Sequence, residues 1–143
     1  MMKTPATGQT NPCILLTGGS GFPGNAIVQE LLAPGSPVQL SLLRIFDLTA
    51  YAGPADPRIE IVSGDIRDAS AVHNACRGID LVIHSAAVVD WGTKPEEEVL
   101  SVNFGGTENV VNACREQRVR HLVYTSSLDA IFGGSKEKFA GEG

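Results

Sequence analysis

Between Thr17 and Gly24 the chain reads TGGSGFPG, with glycines at Gly18, Gly21 and Gly24 and an overlapping second spacing through Gly19, Gly21 and Gly24. Such a sequence, placed between an apolar run and a helical pattern, permits a tight turn without Cβ atoms in the way. It turns the free N–H groups of a helix start toward a bound anion, and the pyrophosphate of a dinucleotide is the ligand it suits. Pro23 is tolerated inside the motif because a first helical turn does not need its N–H. Asp47 closes the run QLSLLRIFDL, 23 residues after Gly24. An acidic residue at that distance meets adenosine ribose hydroxyls, and its charge repels a 2′-phosphate, favouring NAD over NADP. The other reading of Asp47 is a turn cap after a strand. Arg44 points to the opposite face on strand alternation and gives no reason to expect NADP. Near the other end LVYTSSLDAIFGG places Ser126 and Ser127 where a strand runs out into hydroxyls, a position suited to presenting a reactive oxygen.

The elements that must position these residues follow from patterning. Short continuous apolar runs alternate with segments of helical period, which implies parallel strands buried on both faces. The expected strands are Cys13 to Thr17, Gln39 to Asp47, Ile59 to Val62, Leu81 to His84 and His121 to Ser126. The clearest helix runs from about Pro95 to Gln117, with Thr93 and Glu96 at capping-box spacing and Glu96, Glu97 and Glu98 at the positive end of its dipole. Arg115, Arg118 and Arg120 then complement the negative end. Val99, Val102, Val110, Ala113 and Cys114 line one face of it.

Length and composition narrow the classes. A chain of 143 residues holds one ordinary domain. A formal net charge of −5 argues against nucleic acid as a partner. No apolar run approaches the roughly 20 residues of a membrane span. Cys13, Cys76 and Cys114 are odd in number and sit in apolar segments, as reduced core thiols of a cytoplasmic protein do. No Cys/His pair has metal-ligand spacing. Residues 1–12 are polar and are expected to be a disordered lead-in, with residues 13–143 forming the folded domain.

Five motifs in order, TGGSGFPG, GDIRD (Gly64 to Asp68), VIHSAA (Val82 to Ala87), VNFGGTENVVNAC (Val102 to Cys114) and VYTSS (Val123 to Ser127), resemble the extended short-chain dehydrogenase/reductase superfamily. Within it the chain is similar to the 3β-hydroxysteroid dehydrogenase/isomerase-like branch, from Cys13 to about Gly134. The resemblance implies an α/β fold, a doubly wound parallel sheet of the Rossmann type that stops after the fifth strand, and NAD as cofactor. Gly18, Gly21, Phe22, Gly24 and Asp47 would hold it, with Asp65 and Ile66 at the adenine. His84, Ala86 and Ala87 would stand at the turn after the fourth strand. Asp68 would cap the next helix, as Asp65 does on a purely structural reading. His84 is as readily a core-edge histidine with a satisfied ring nitrogen.

The superfamily pattern gives Asn103 a supporting role near the active site. The adjacent Gly105-Gly106 costs roughly 1 kcal/mol per glycine in a helix interior, which suggests close approach of another backbone. Ser127 matches the catalytic serine, with Ser126 as its competitor. Val88, Val89 and Trp91 would lie where a hydrophobic alcohol or ketone enters.

The superfamily also uses a Tyr with a Lys four residues on. Here Tyr51 is followed by Ala55 and Tyr124 by Leu128, so the pair is absent from these residues. The chain is therefore expected to be the cofactor-binding part of a longer enzyme that oxidises a hydrophobic secondary alcohol, of the 3β-hydroxysteroid kind. A nucleotide-sugar epimerase or a dihydroflavonol-reductase-like enzyme is the alternative within the superfamily, and a non-catalytic NAD-binding sensor the alternative of another class. The superfamily further implies a homodimer through the helix from Pro95 to Gln117.

Overall fold

The computed structural model describes residues 10–125. Ser126, Ser127 and the tail lie outside them, as do residues 1–9. The order of elements is β1 (Cys13–Thr17), α1 (Phe22–Leu32), β2 (Leu42–Asp47), β3 (Ile59–Ser63), α2 (Ala69–Ala75), β4 (Leu81–His84), α3 (Glu96–Leu100), a π-helical turn (Ser101–Gly105), α4 (Gly106–Glu116) and β5 (His121–Tyr124). All strand pairings are parallel, in the order β3-β2-β1-β4-β5. This is the Rossmann-type doubly wound sheet that the alternating pattern implies.

Strand alternation divides the core. Ile14, Leu16, Leu43 and Ile45 pack on one face with Val28 of α1, while Leu15, Phe46 and Val82 pack on the other with Val72 of α2 and Val110 of α4. Each such side chain taken fully out of water contributes about 1.5–3 kcal/mol. Arg44 is on the α2 face, where its Nη1 donates to the carbonyls of Ala75 and Arg77 at 2.7 and 2.8 Å. A cation thus meets the carbonyls at the end of α2. Cys76 and Cys114 are buried free thiols, and Cys13 is a half-buried one.

Several expected boundaries shift, each for a local reason. β2 begins at Leu42 rather than Gln39, because Ser41 donates its N–H to Pro12 O and its hydroxyl to Asn11 O. Those two bonds also tie down residues 11–12, which were expected in the lead-in. The capping box does not form. Asp90 Oδ1 takes the Thr93 hydroxyl at 2.7 Å together with the N–H groups of Thr93 and Lys94, and Pro95 occupies the cap of α3. The single helix expected over 95–117 is α3 and α4 joined by the π-helical turn. β5 lies at the sheet edge with all four residues exposed.

Candidate functional site

The chain crosses from one side of β1 to the other between β3 and β4, so the ends of β1 and β4 diverge into a crevice at the C-terminal edge of the sheet. Thr17 pairs with Phe46 on one side and His84 on the other. The cleft there has a volume of about 780 Å³. Its floor is the β1–α1 turn, its near wall Phe46 to Thr49 and Gly64 to Arg67, and its far wall Ser85 to Val89.

The glycines of the floor are not equivalent. Gly18 has φ +77° and donates its N–H to Phe46 O at 2.9 Å. A Cβ on it would stand 2.8 Å from the Ala86 backbone, so this position needs glycine both for conformation and for space. A Cβ on Gly24 would overlap the Gly18 carbonyl. A Cβ on Gly21, which caps α1 with no side-chain hydrogen bond, would meet only Gly18 O, at 3.5 Å. The protein leaves Gly21 room for a side chain, and that room lies on the cleft. No acidic residue occupies the first turn of α1. A bare helix start beside a Cβ-free surface fits the pyrophosphate of a dinucleotide.

Asp47 stands on the near wall. Its Oδ2 accepts the Ser20 N–H and its Oδ1 the Thr49 N–H, both at 2.9 Å, while Ser20 Oγ donates to Thr49 O at 3.0 Å. The turn-capping and ribose-binding readings of Asp47 are thus compatible, since an ionised carboxylate offers about four acceptor sites. Ser20 escaped notice in the sequence because its role comes from an N–H and from a partner 27 residues away.

Asp65 and Ile66 also line the cleft. Arg67 grips Asp65 with Nη2 to Oδ2 at 2.6 Å and Nε to Oδ1 at 3.0 Å. These side-chain hydrogen bonds, aided by the Arg67 backbone N–H, hold the Asp65 carboxyl below the usual carboxylate range. Asp68 caps α2 by accepting from the Ser70 and Ala71 N–H groups, as expected. Ile66 is buried, and a Cβ on Gly106 would stand 2.7 Å from its Cγ2. The close approach expected at Gly105-Gly106 is therefore by the Ile66 side chain onto Gly106, not by a backbone, and Gly105 faces open space.

On the far wall, Asn103 Oδ1 accepts the Val88 N–H at 2.8 Å and its Nδ2 donates to Val88 O at 2.9 Å. Ala86, Ala87, Val88 and Val89 line the cleft, as do Lys94 and Glu98. Phe22 also lines it and is 92 % exposed, so packing within the described residues does not account for that side chain. Trp91 is fully on the surface and away from the cleft. His84 is not in the cleft. It is 1 % exposed, with Nδ1 2.7 Å from Thr17 Oγ1 and Nε2 2.9 Å from Thr107 Oγ1. Of its two readings, the structure takes the core histidine with its ring nitrogens satisfied. Burial lowers its pKa from 6.5 to about 4. The hydroxyl of Thr17, at the end of an otherwise apolar strand, is the signal that could have revealed this partner.

Among the described residues no cluster of His, Cys, Asp and Glu is placed to hold a metal ion, and no helix is long and apolar enough to cross a membrane. Ser127 lies outside the described residues. Thr125, the last of them, lines the cleft and donates its N–H to His84 O at 3.2 Å.

Comparison with known proteins agrees with this geometry. The model of the 3-beta hydroxysteroid dehydrogenase/isomerase family matches residues 15–143. A 3 beta-hydroxysteroid dehydrogenase/Delta 5-->4-isomerase of Mycobacterium tuberculosis is 39 % identical over 127 residues, covering 85 % of this chain and 33 % of its own length. The mouse 3 beta-hydroxysteroid dehydrogenase type 7 is 38 % identical over 125 residues, covering 82 % of this chain and again 33 % of its own. This chain spans about a third of the length of these relatives. Among solved structures, a point mutant of uronate dehydrogenase from Agrobacterium tumefaciens, complexed with NAD, superposes with a TM-score of 0.67 at 33 % identity, over 81 % of this chain and 41 % of that one. The family match begins within β1 and runs through the glycine turn, both cleft walls and the other four strands, and the chain belongs to the 3-beta hydroxysteroid dehydrogenase/isomerase family.

Proposed function

We propose that the protein carrying this chain is an NAD-dependent oxidoreductase that acts on the CH–OH group of a hydrophobic secondary alcohol of the 3β-hydroxysteroid kind, and that these residues are its cofactor-binding part. The observation that carries the reading is the pairing of a Cβ-free helix start at Gly21 with the Asp47 carboxylate on the wall of the same cleft. The family supplies the substrate class, and Val88 and Val89 supply an apolar wall suited to it.

In this reading Gly18, Gly21 and Gly24 seat the pyrophosphate and Phe22 covers it. Asp47 accepts from the ribose hydroxyls through the lone pairs that Ser20 and Thr49 leave open. Asp65 and Ile66 border the adenine, and Ala86 and Ala87 leave room beside it. Asn103 holds the Val88 backbone. NAD bound there would take a hydride from the alcohol carbon. Ser127 would hold the substrate oxygen, and the proton would leave through a Tyr and Lys supplied outside these 143 residues. The 143-residue chain alone is proposed to bind the cofactor without turnover. A homodimer through residues 95–117 fits the exposed Leu100 and Phe104 on that segment.

The test is oxidation of a 3β-hydroxysteroid by the complete protein, followed as reduced cofactor appears. Turnover with NAD that falls at least tenfold with NADP is expected. Saturable NAD binding with no oxidation of any steroid or simpler secondary alcohol would point instead to a non-catalytic NAD-binding protein.

A further inference from the structure

The buried polar chain behind the cleft fixes a proton arrangement. Thr107 Oγ1 lies 2.7 Å from Asn103 O and donates its one hydroxyl proton there. Toward His84 Nε2 it can then only accept, so the imidazole proton is on Nε2. Nδ1 of the same ring is consequently an acceptor and takes the Thr17 hydroxyl proton at 2.7 Å. The Thr17 oxygen in turn accepts the N–H groups of Ser85 and Ala86, each at 3.2 Å. Every donor in this row has an acceptor. A second imidazole proton, on Nδ1, would face an oxygen already receiving two N–H groups.

The row joins β1, β4, α4 and the π-helical turn. It starts at the strand end that enters the glycine turn, passes through β4 to α4, and reaches the π-helical turn at the Asn103 carbonyl. The Asn103 side chain then grips both backbone groups of Val88. Single π turns are rare and frequent at functional sites, and this one is held from within the helix by the Thr107 hydroxyl on Asn103 O and from outside it by the Val88 backbone. The Tyr124 ring stacks on His84 at 5.5 Å and closes the remaining side. Among the described residues, none of the hydrogen-bond partners of His84 is a carboxylate.

We propose that His84 is a positioning residue of the cleft: as the neutral Nε2–H tautomer it sets the separation of the Gly18 turn from the Val88 wall, acting through Thr17, Thr107 and Asn103. It touches no ligand. The effect on cofactor binding rests on the cleft being the NAD site, whereas the tautomer and the coupling to Val88 do not.

The test is made on the complete protein. Imidazole nitrogen NMR should show one protonated ring nitrogen, Nε2, at neutral pH. Thr107→Val, which keeps the shape and removes the hydroxyl, should shift the Val88 amide resonance and weaken NAD binding about 3- to 10-fold. Thr107→Ser should restore both. His84→Gln, whose amide can accept and donate at the two ends, should retain more affinity than His84→Phe. A ring protonated on Nδ1, or a folded Thr107→Val protein with an unmoved Val88 amide, would overturn the proposal. If the wild type bound no NAD, the function proposed above would fail while the two NMR readouts still decided the role of His84.

Discussion

A Cβ on Gly24 would overlap the Gly18 carbonyl across the turn from β1 into α1, while one on Gly21, between them in sequence, would meet nothing closer than 3.5 Å. Gly18 and Gly24 are therefore required by the fold itself, whereas at Gly21 the fold leaves room and the cleft sets the requirement. Gly24→Ala should destabilise the protein by about 2 kcal/mol or more, because backbone on both sides must move. Gly21→Ala should stay within about 1 kcal/mol of wild type in stability and should lose most of its NAD affinity. Thermal unfolding and cofactor titration of the same two variants check the separation.

Gly105 and Gly106 should behave oppositely although they are neighbours. Gly106→Ala places a methyl against Ile66 and should cost about 1–3 kcal/mol. Gly105→Ala meets open space at helical φ −61° and should stabilise by roughly 0.5–1 kcal/mol. Urea denaturation of both variants distinguishes them.

His84 gives stability a defined pH dependence. Its folded-state pKa is lowered by burial from 6.5 to about 4. Between those values the unfolded chain binds a proton that the folded chain does not, so stability is full above about pH 6.5 and falls as the pH drops toward 4. The loss is on the order of 3 kcal/mol. The carboxylates of Asp65 and Asp90, held low chiefly by hydrogen bonds from Arg67 and Thr93, lose their contribution only at lower pH. The unfolding free energy of wild type should fall as the pH drops through this window, while that of His84→Gln should change little.

The sheet and the glycine turn were legible because local sequence determines them. Apolar runs of strand length mark β1 and β4 to the residue, and Gly18 and Gly24 are demanded by contacts within the cleft floor and its neighbouring turn. Asp47 was legible as a position, but its bonds to Ser20 and Thr49 were not, since backbone N–H groups leave no trace in residue type. The π-helical turn was hidden because periodicity over 95–117 reads as one helix. The tertiary contact at that turn is the Asn103 grip on both backbone groups of Val88, which periodicity does not carry. Thr93 and Glu96 had the right spacing for a capping box, yet the cap of α3 falls on Pro95, and the Thr93 hydroxyl donates to Asp90. His84 could be read either way from its motif, and the Thr17 hydroxyl decides for the interior.

The most direct test of the cofactor site is calorimetric titration of the complete protein with NAD and with NADP, before and after Asp47→Ala. Wild type should bind NAD saturably and NADP at least tenfold more weakly. The variant should lose about 10- to 100-fold in NAD affinity, the effect of removing hydrogen bonds to a charged acceptor, and should no longer discriminate against NADP. Equal affinity of wild type for the two cofactors, or an Asp47→Ala protein that binds NAD as wild type does, would contradict the assignment of this cleft.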